Sequence, residues 1–323
     1  IELQLNAWLI ETKDFSLNAT FNIGHNKNKI DKLASGEKEW ILTSAWRNDV
    51  VNSDDYRAYV GGTSGLIYGY VNDGFYTVAD FESFDSKSRT WKLKEGVVDS
   101  SPLSDTPRPG NAKFKKLTPV DPNSTNPYQL TEADRTVIGN TTPKFSGGFG
   151  LNATYKGFDM SMFFNFMYDF DVLNANKIML TTWADNKENN FLMDIASDKR
   201  WRNFDDMGNE IRYSPEVLAE FNKNATMWNP TSIGRPICMS YAVEDGSFLR
   251  LNSATLGYTL PSVWTKKVGL SKVRFYVSGN NLFTLTGYSG YDPEVNIATG
   301  LTPNIDYNRY PRRRTYTFGA QLT

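Results

Sequence analysis

FSGGFGLNATYKGFDMSMFFNFMY, residues Phe145 to Tyr168, decides how the rest of the chain is read. In its first half Phe145, Gly147, Phe149, Leu151, Ala153 and Tyr155 alternate with Ser146, Gly148, Gly150, Asn152 and Thr154. In its second half Phe158, Met160, Met162, Phe164, Phe166 and Tyr168 alternate with Asp159, Ser161, Phe163, Asn165 and Met167. Side chains along a strand point to opposite faces, so each half carries one apolar and one mostly polar face. Lys156-Gly157 between them predicts a tight hairpin. Each half is about 11 residues, the length a tilted strand needs to cross a bilayer. The apolar face is crowded with Phe and Met, while Gly, Ser, Asn and Thr on the other face suit a wet interior. Aromatic residues stand at both ends, Tyr155 and Phe158 at the turn and Phe166 and Tyr168 opposite. These are the marks of a transmembrane β-barrel hairpin. The alternative is a soluble hairpin whose apolar face lies against a second sheet.

The same pattern recurs on both sides. Ile1 to Glu11 alternates Ile1, Leu3, Leu5, Ala7 and Leu9 against Glu2, Gln4, Asn6 and Trp8, and Thr12 to Asp14 form a short turn. Phe15 to Gly24 alternates Phe15, Leu17, Ala19, Phe21 and Ile23 against Ser16, Asn18, Thr20 and Asn22. A connection from His25 to Pro143 follows, long enough to suggest function, with strand-like matter at Leu66 to Val78. After the central hairpin Asp169 to Gly246 is a second long connection. Helices are expected in it at Val172 to Thr181 and at Pro215 to Asn222, the latter with Ser214 as N-cap. Ser247 to Leu260 is the next strand, with a bulge near Asn252-Ser253. Pro261 to Ser271 is a modest turn and Lys272 to Thr284 the sixth strand. Leu285 to Arg313 forms a third loop, and Tyr316, Phe318, Ala320 and Leu322 alternate with Thr315, Thr317, Gly319 and Gln321 in the last strand. Connections therefore run short, long, short, long, short, long. In an up-and-down antiparallel meander this gathers the short turns at one end and the long loops at the other, as periplasmic turns and extracellular loops are gathered in outer-membrane barrels. The C-terminus is then periplasmic. Seven strands are too few and odd in number to close a single-chain barrel, so the chain is expected to be part of something longer, as is its start at Ile1 inside a strand without a signal peptide.

Composition agrees. No run of 18 apolar residues occurs and mean hydropathy is −0.48, which excludes membrane-crossing helices but not alternating strands. With 35 basic against 36 acidic residues there is no basic excess for nucleic acid. Cys238, the one cysteine, has no internal disulfide partner. The 17 Tyr and 8 Trp suit interfacial girdles or carbohydrate-facing surfaces. Catalytic groupings are not evident. His25 is the sole histidine and opens a loop without a metal or triad partner. Asp54-Asp55 and Asp205-Asp206 are adjacent pairs in loops and read as solvated patches, not as an acid/base pair held on separate rigid elements. No nucleophile elbow or phosphate-cradling loop is present.

Several stretches resemble the C-terminal third of SusC/RagA-type TonB-dependent outer-membrane transporters. They are SFLRLNSATLGYTLP (Ser247 to Pro261), VSGNNLFTLTGYSGYDPEVN (Val277 to Asn296) and YPRRRTYTFGAQLT (Tyr310 to Thr323). DRTVIGNTTPKFSGGFG (Asp134 to Gly150) and FNIGHNKNKIDKL (Phe21 to Leu33) add to them. Two features depart from the family's pattern. Thr118 to Arg135 lacks the regular Asp spacing of the calcium-loop-like stretch often found there, so no metal is expected. The family usually ends in an aromatic residue one position beyond Thr323. The resemblance implies an all-β fold: a transmembrane antiparallel up-and-down barrel of 22 strands, with residues 1–323 supplying its C-terminal seven or so and the plug domain and N-terminal strands lying outside this chain. It implies import of a glycan or peptide across the outer membrane of a Bacteroidetes-like bacterium, driven by TonB through the missing N-terminal part and capped by a SusD-like lipoprotein. It implies no enzyme and no cofactor. A non-transporting outer-membrane receptor or adhesin is the alternative, and a secreted carbohydrate-active enzyme is weaker for want of an acid/base pair.

Binding candidates follow from the loops. Trp183, Trp228, Tyr241, Tyr288 and Tyr291 are placed to stack on sugar rings or peptide side chains, or else to pack loops against one another or a lid. Arg312, Arg313 and Arg314 precede the last strand, and Arg314 falls in phase with its apolar face, where its guanidinium can meet lipopolysaccharide phosphate or stay solvated.

Overall fold

Seven long strands form one sheet, hydrogen-bonded in chain order and antiparallel throughout: β1 (Glu2–Glu11), β2 (Phe15–Gly24), β3 (Phe145–Tyr155), β4 (Phe158–Tyr168), β5 (Phe248–Thr259), β6 (Val273–Thr286) and β7 (Thr315–Leu322). They belong to a computed structural model that describes residues 1–46, 54–103, 106–182, 190–196, 198–233, 236–295 and 300–323. None of the described helices is long and apolar enough to cross a membrane.

The register explains why the sheet has two different faces. Phe21 pairs with Phe149, Phe149 with Phe164, Phe164 with Leu251, and Leu251 with Phe283. That apolar row begins at Leu5 on β1 and crosses six strands. Within it the rings of Phe149 and Phe164 stack at 4.5 Å, and Phe283 meets Phe164 edge-on at 6.3 Å. Such cross-strand pairs each contribute up to about 1 kcal/mol. One position along, Gln4, Asn22, Gly148, Asn165, Arg250 and Thr284 make a polar row on the opposite face. Leu256, Val277 and Phe318 continue the apolar face toward the C-terminus.

The short turns lie at one end. Lys156 and Gly157 both take left-handed backbone, φ 44° and 89°, the conformation a two-residue hairpin requires. Between β5 and β6 the turn contains a short helical segment, Ser262–Thr265, followed by a 3-10 turn, Lys266–Val268, that ends at left-handed Gly269.

Two details differ from the alternation read in the sequence, and one agrees with it. In β1 the register shifts between Trp8 and Ile10, so Ile10 and not Leu9 pairs with Leu17 on the apolar face. The bulge expected near Asn252 is present between Leu251 and Ser253. Opposite it Asn281 adopts left-handed backbone, φ 52°. Phe283 and Leu285 keep the phase of Val273 to Gly279 on the apolar face, and the strand runs to Thr286 instead of Thr284.

Candidate functional site

The long connections leave the sheet at the end opposite the short turns and fold on one another. The first supplies a four-stranded sheet, Thr136–Asn140, Leu66–Gly69, Tyr56–Tyr59 and Glu39–Leu42. The second and third share a three-stranded sheet, in which Asp171–Asn174 pairs antiparallel with Val243–Asp245 and parallel with Ile305–Asp306. This corrects the helix expected over Val172 to Thr181. Val172 and Leu173 are taken up by strand pairing, and the helix is confined to Ala175–Met179, where the Asn174 side chain accepts from Lys177 N at 3.2 Å. The second helix, Pro215–Phe221, stands where expected, but Ser214 occupies its N-cap position without a side-chain capping bond.

One apolar cluster joins all three connections: Tyr56 and Ile67 from the first, Leu173, Ile178 and Ala242 from the second, Ile305 from the third. Burying each aliphatic side chain there favours the closed loop assembly by roughly 1.5–3 kcal/mol. Polar anchors fix it further. Asp134, fully buried, accepts from Leu117 N (2.9 Å), Thr118 N (2.7 Å), Thr118 Oγ1 (2.6 Å), Thr131 N (2.7 Å) and Thr131 Oγ1 (2.9 Å), with Lys116 Nζ at 3.3 Å. Burial alone would raise its carboxyl, but the bonds from Thr118 and Thr131 outweigh it and hold it well below the ordinary range. Its neighbour Arg135 donates to the Asp54 carbonyl and lies over the Tyr68 ring at 4.5 Å. Asp55 is not the solvated acid expected. It is buried against Ser44, and burial pushes its carboxyl up to about 6. Asp205 is half-buried, engaged by Asn209 Nδ2 at 2.9 Å and its own turn, and Asp206 beside it is exposed.

The third connection is clamped to the polar face of the sheet. Arg250 on β5 is buried, and its Nη2 and Nη1 reach Asp292 at 2.5 and 3.3 Å. Its Nε lies 3.3 Å from Glu294, whose other oxygen accepts from Arg312 Nη2 at 3.0 Å. Burial alone would raise Asp292, yet the Arg250 and Glu294 N–H bonds and the Arg250 charge keep its carboxyl below the usual range. Behind the clamp Tyr288 donates to Asp306 at 2.7 Å, and burial raises both groups above their ordinary values. Glu244 accepts from Asn174 Nδ2 (2.9 Å), Ser289 N (3.0 Å) and Ser289 Oγ (2.8 Å), with Lys177 Nζ at 3.5 Å. The alternation of strands gave no hint of these ties. The signal was the charge set in SFLRLN, YDPEVN and YPRRR, which no strand pattern explains.

The aromatic candidates separate. Trp228 is buried, its Nε1 donating to Thr181 O at 3.2 Å and its ring meeting Tyr241 edge-on at 4.8 Å. Tyr241 is half-buried, bonded to Asp194 at 3.1 Å, with Lys177 Nζ 4.3 Å from its ring centre. Tyr288 is buried as described, while Tyr291, three residues on, is 85% exposed. Trp183 lies outside the described residues. Arg314 is exposed at the loop end of β7. Tyr291 opens onto a cleft of about 680 Å³ between the second and third connections, which Lys177, Leu180, Leu192, Arg309 and Tyr310 also line. The structure thus brings Tyr291 together with Tyr310, a residue the sequence did not single out.

No protein-family model matches the chain. Over 99% of its length, at 32% identity, it is similar to TonB-dependent receptor P3 of Formosa agariphila. It is similar over its whole length, at 25% identity, to TonB-dependent receptor SusC of Bacteroides thetaiotaomicron. The chain matches SusC/RagA-type TonB-dependent transporters from end to end. It covers 28% and 26% of those two relatives, so it corresponds to little more than a quarter of such a protein. Its fold is that of a solved RagAB peptide transporter chain, with a TM-score of 0.63 and 21% identity over 99% of this chain and 28% of that one. The seven-stranded meander accordingly has the all-β fold of a segment of such a transporter barrel. The stretches that carry the resemblance are those that supply Asp134, Arg135, Arg250, Asp292, Glu294 and Arg312, the anchors of the loops.

Proposed function

We propose that this chain is the C-terminal portion of the barrel domain of an outer-membrane TonB-dependent importer of a large nutrient, an oligosaccharide or a peptide. Its seven strands stand in a barrel of 22, with the plug domain and the TonB contact in the remainder of the protein. The observation that carries the reading is the sheet itself: a continuous apolar row across one face, a polar row across the other, short turns at one end and interlocked long loops at the other. The apolar face meets lipid, the polar face lines the lumen, and the C-terminus is periplasmic. The loop assembly docks a SusD-like surface lipoprotein, Tyr291 reaches substrate, and Arg314 reaches lipopolysaccharide phosphate. The chain works as a gated wall and not as an enzyme.

Uptake decides the matter. Cells lacking the gene should lose import of one labelled oligosaccharide or peptide, and so should cells lacking TonB. Retention of surface binding without any TonB-dependent uptake would favour the receptor or adhesin reading.

A further inference from the structure

The turn between β5 and β6 is longer than a reversal requires. Lys156-Gly157 alone reverses the chain between β3 and β4, whereas residues 260–272 are spent between β5 and β6. Its helical part carries an apolar surface that no core of the protein takes up: Val263 is 69% exposed, Trp264 59% and Val268 71%. Trp264 and Val268 are four residues apart and so share one side of the helical turn. The segment is fixed from within. Thr265 is buried, Leu270 N donates to its carbonyl at 3.1 Å, and left-handed Gly269 closes the end. Its place is the apolar end of the wall. Val273, the first apolar-face residue of β6, is buried, although Phe275 and Leu322 beside it are exposed. That is the burial a turn folded back onto the apolar side produces. The charge on the segment is of one sign. Lys266 and Lys267 are exposed, and among the described residues neither side chain has a hydrogen bond or an ion pair. Asp159, on the adjoining strand, is taken up on the polar face by Arg274 Nε at 2.8 Å. Glu11 and Asp14 belong to the β1–β2 turn, three strands away.

We propose that this turn is a membrane foot, in which Trp264 and Val268 enter the headgroup boundary of the leaflet at the short-turn end and Lys266 and Lys267 bind the phosphates of anionic phospholipid there. The inference rests on the importer reading, which sets the apolar face in lipid and the short turns on the periplasmic side. An indole ring is amphipathic and settles at headgroup depth, and lysine stems lie along apolar surface while the ammonium reaches phosphate. A lipid surface is favoured over a protein partner on two grounds. The exposed patch continues the apolar face through Tyr258, Phe275 and Phe318. The buried centre of a protein interface is poor in lysine, whereas a layer of mobile headgroups suits two cations on flexible stems.

The test is fluorescence quenching of the full-length transporter in vesicles of phosphatidylcholine and phosphatidylglycerol. One fluorophore is attached at Val268→Cys or, as a reference on the wall, at Phe318→Cys. Lipid brominated on its acyl chains should quench both labels more than aqueous iodide does. Brominated phosphatidylglycerol should quench the label at 268 more than the same fraction of brominated phosphatidylcholine. That advantage should correspond to at least about fivefold in relative affinity and shrink as salt rises. It should disappear in Lys266→Gln/Lys267→Gln, whose melting temperature should be unchanged because both side chains are exposed. Lipid quenching at 318 with iodide quenching alone at 268 overturns the foot and leaves the wall in the bilayer. Equal quenching by the two brominated lipids, or an advantage that survives the lysine changes, overturns the anionic seat. Iodide quenching alone at both positions removes the membrane reading itself, and the importer with it.

Discussion

The wall and the loops put the same residue types to opposite uses. In the wall, Phe158, Leu256, Phe275, Tyr316 and Phe318 are exposed, Phe318 to 80%. In the loops, Tyr56, Ile67, Phe114, Leu173, Ile178 and Ile305 are sealed from solvent. Polar groups are reversed too. On the wall's second face Asn22, Ser146, Asn152, Thr154 and Ser161 are exposed, whereas Asp55, Asp134 and Asp306 in the loops are buried and bonded. The loops form an assembly with a sealed inside, whereas the sheet presents an apolar face on one side and a polar face on the other. A single chain can hold both because the clamp on Arg250 joins them. The comparison says where each kind of damage should be felt.

The largest effect is expected at that joint. Arg250→Met leaves Asp292 buried without its cation, and losing one partner of a buried pair costs about 3–5 kcal/mol. The loop from Gly287 to Arg314 should then become protease-sensitive while the strands persist. Arg250→Met combined with Asp292→Leu removes both charges and should recover much of the loss. Limited proteolysis and thermal melting of the full-length protein in detergent distinguish the variants. Indifference of the single variant would mean that the clamp does not hold the loop.

How much was legible follows the same division. The wall was readable because Phe145 to Tyr168 and its relatives alternate strictly, and a period of two fixes both the strand and its faces. Only an insertion in β1 defeated it: Leu9 adds a residue there, and alternation cannot show where phase is recovered. The loops were not readable. Val172 and Leu173 suit helix or strand equally, and what decides is a parallel partner, Ile305, more than a hundred residues away. Burial of Trp228 and Tyr288 beside exposure of Tyr291 is likewise set by distant packing. Asp55 read as solvated because its seat against Ser44 is formed by a return of the chain.

A second, smaller effect tests the wall. Phe164→Arg places a guanidinium on the apolar face, at a cost of roughly 2–4 kcal/mol near a bilayer midplane. The matching change on the polar face is better made at Asn152 than at Asn165. Asn165 is in register with Arg250 and would set like charges side by side, whereas Asn152 is exposed and pairs with Asn18 and Ser161. Asn152→Arg should fold and insert normally, and Phe164→Arg should assemble poorly. A fluorophore at 164 should be quenched by lipid-soluble reagents and one at 152 by water-soluble ones. Aqueous quenching of both would break the distinction between the two faces.

The smallest effect separates two acids within the loops. Asp55 is raised to about 6 by burial, with Ser44 bonds opposing and the Asp54 charge assisting. A carboxyl whose folded value exceeds its ordinary 3.8 binds its proton more tightly in the folded state. Its stabilising contribution is therefore complete below that ordinary value and is lost as pH rises through about 6. Asp134 is lowered, so its contribution is complete above its ordinary value and is lost only as pH falls below it. Each controls identifiable amides: Ser44 N–H donates to Asp55 at 2.7 Å, and Leu117 and Thr118 N–H to Asp134 at 2.9 and 2.7 Å. Between pH 4 and 7 hydrogen exchange at Ser44, corrected for its intrinsic pH dependence, should lose protection on the order of 1 kcal/mol, because the cost of burying the charge outweighs the stronger bond that Ser44 N–H makes to a carboxylate. Over the same window Leu117 and Thr118 should stay constant. Asp55→Asn should flatten the Ser44 profile without touching the other two. A Ser44 profile that strengthens with pH, or that keeps its slope in Asp55→Asn, would show that the buried carboxyl is not what loosens this part of the loop core.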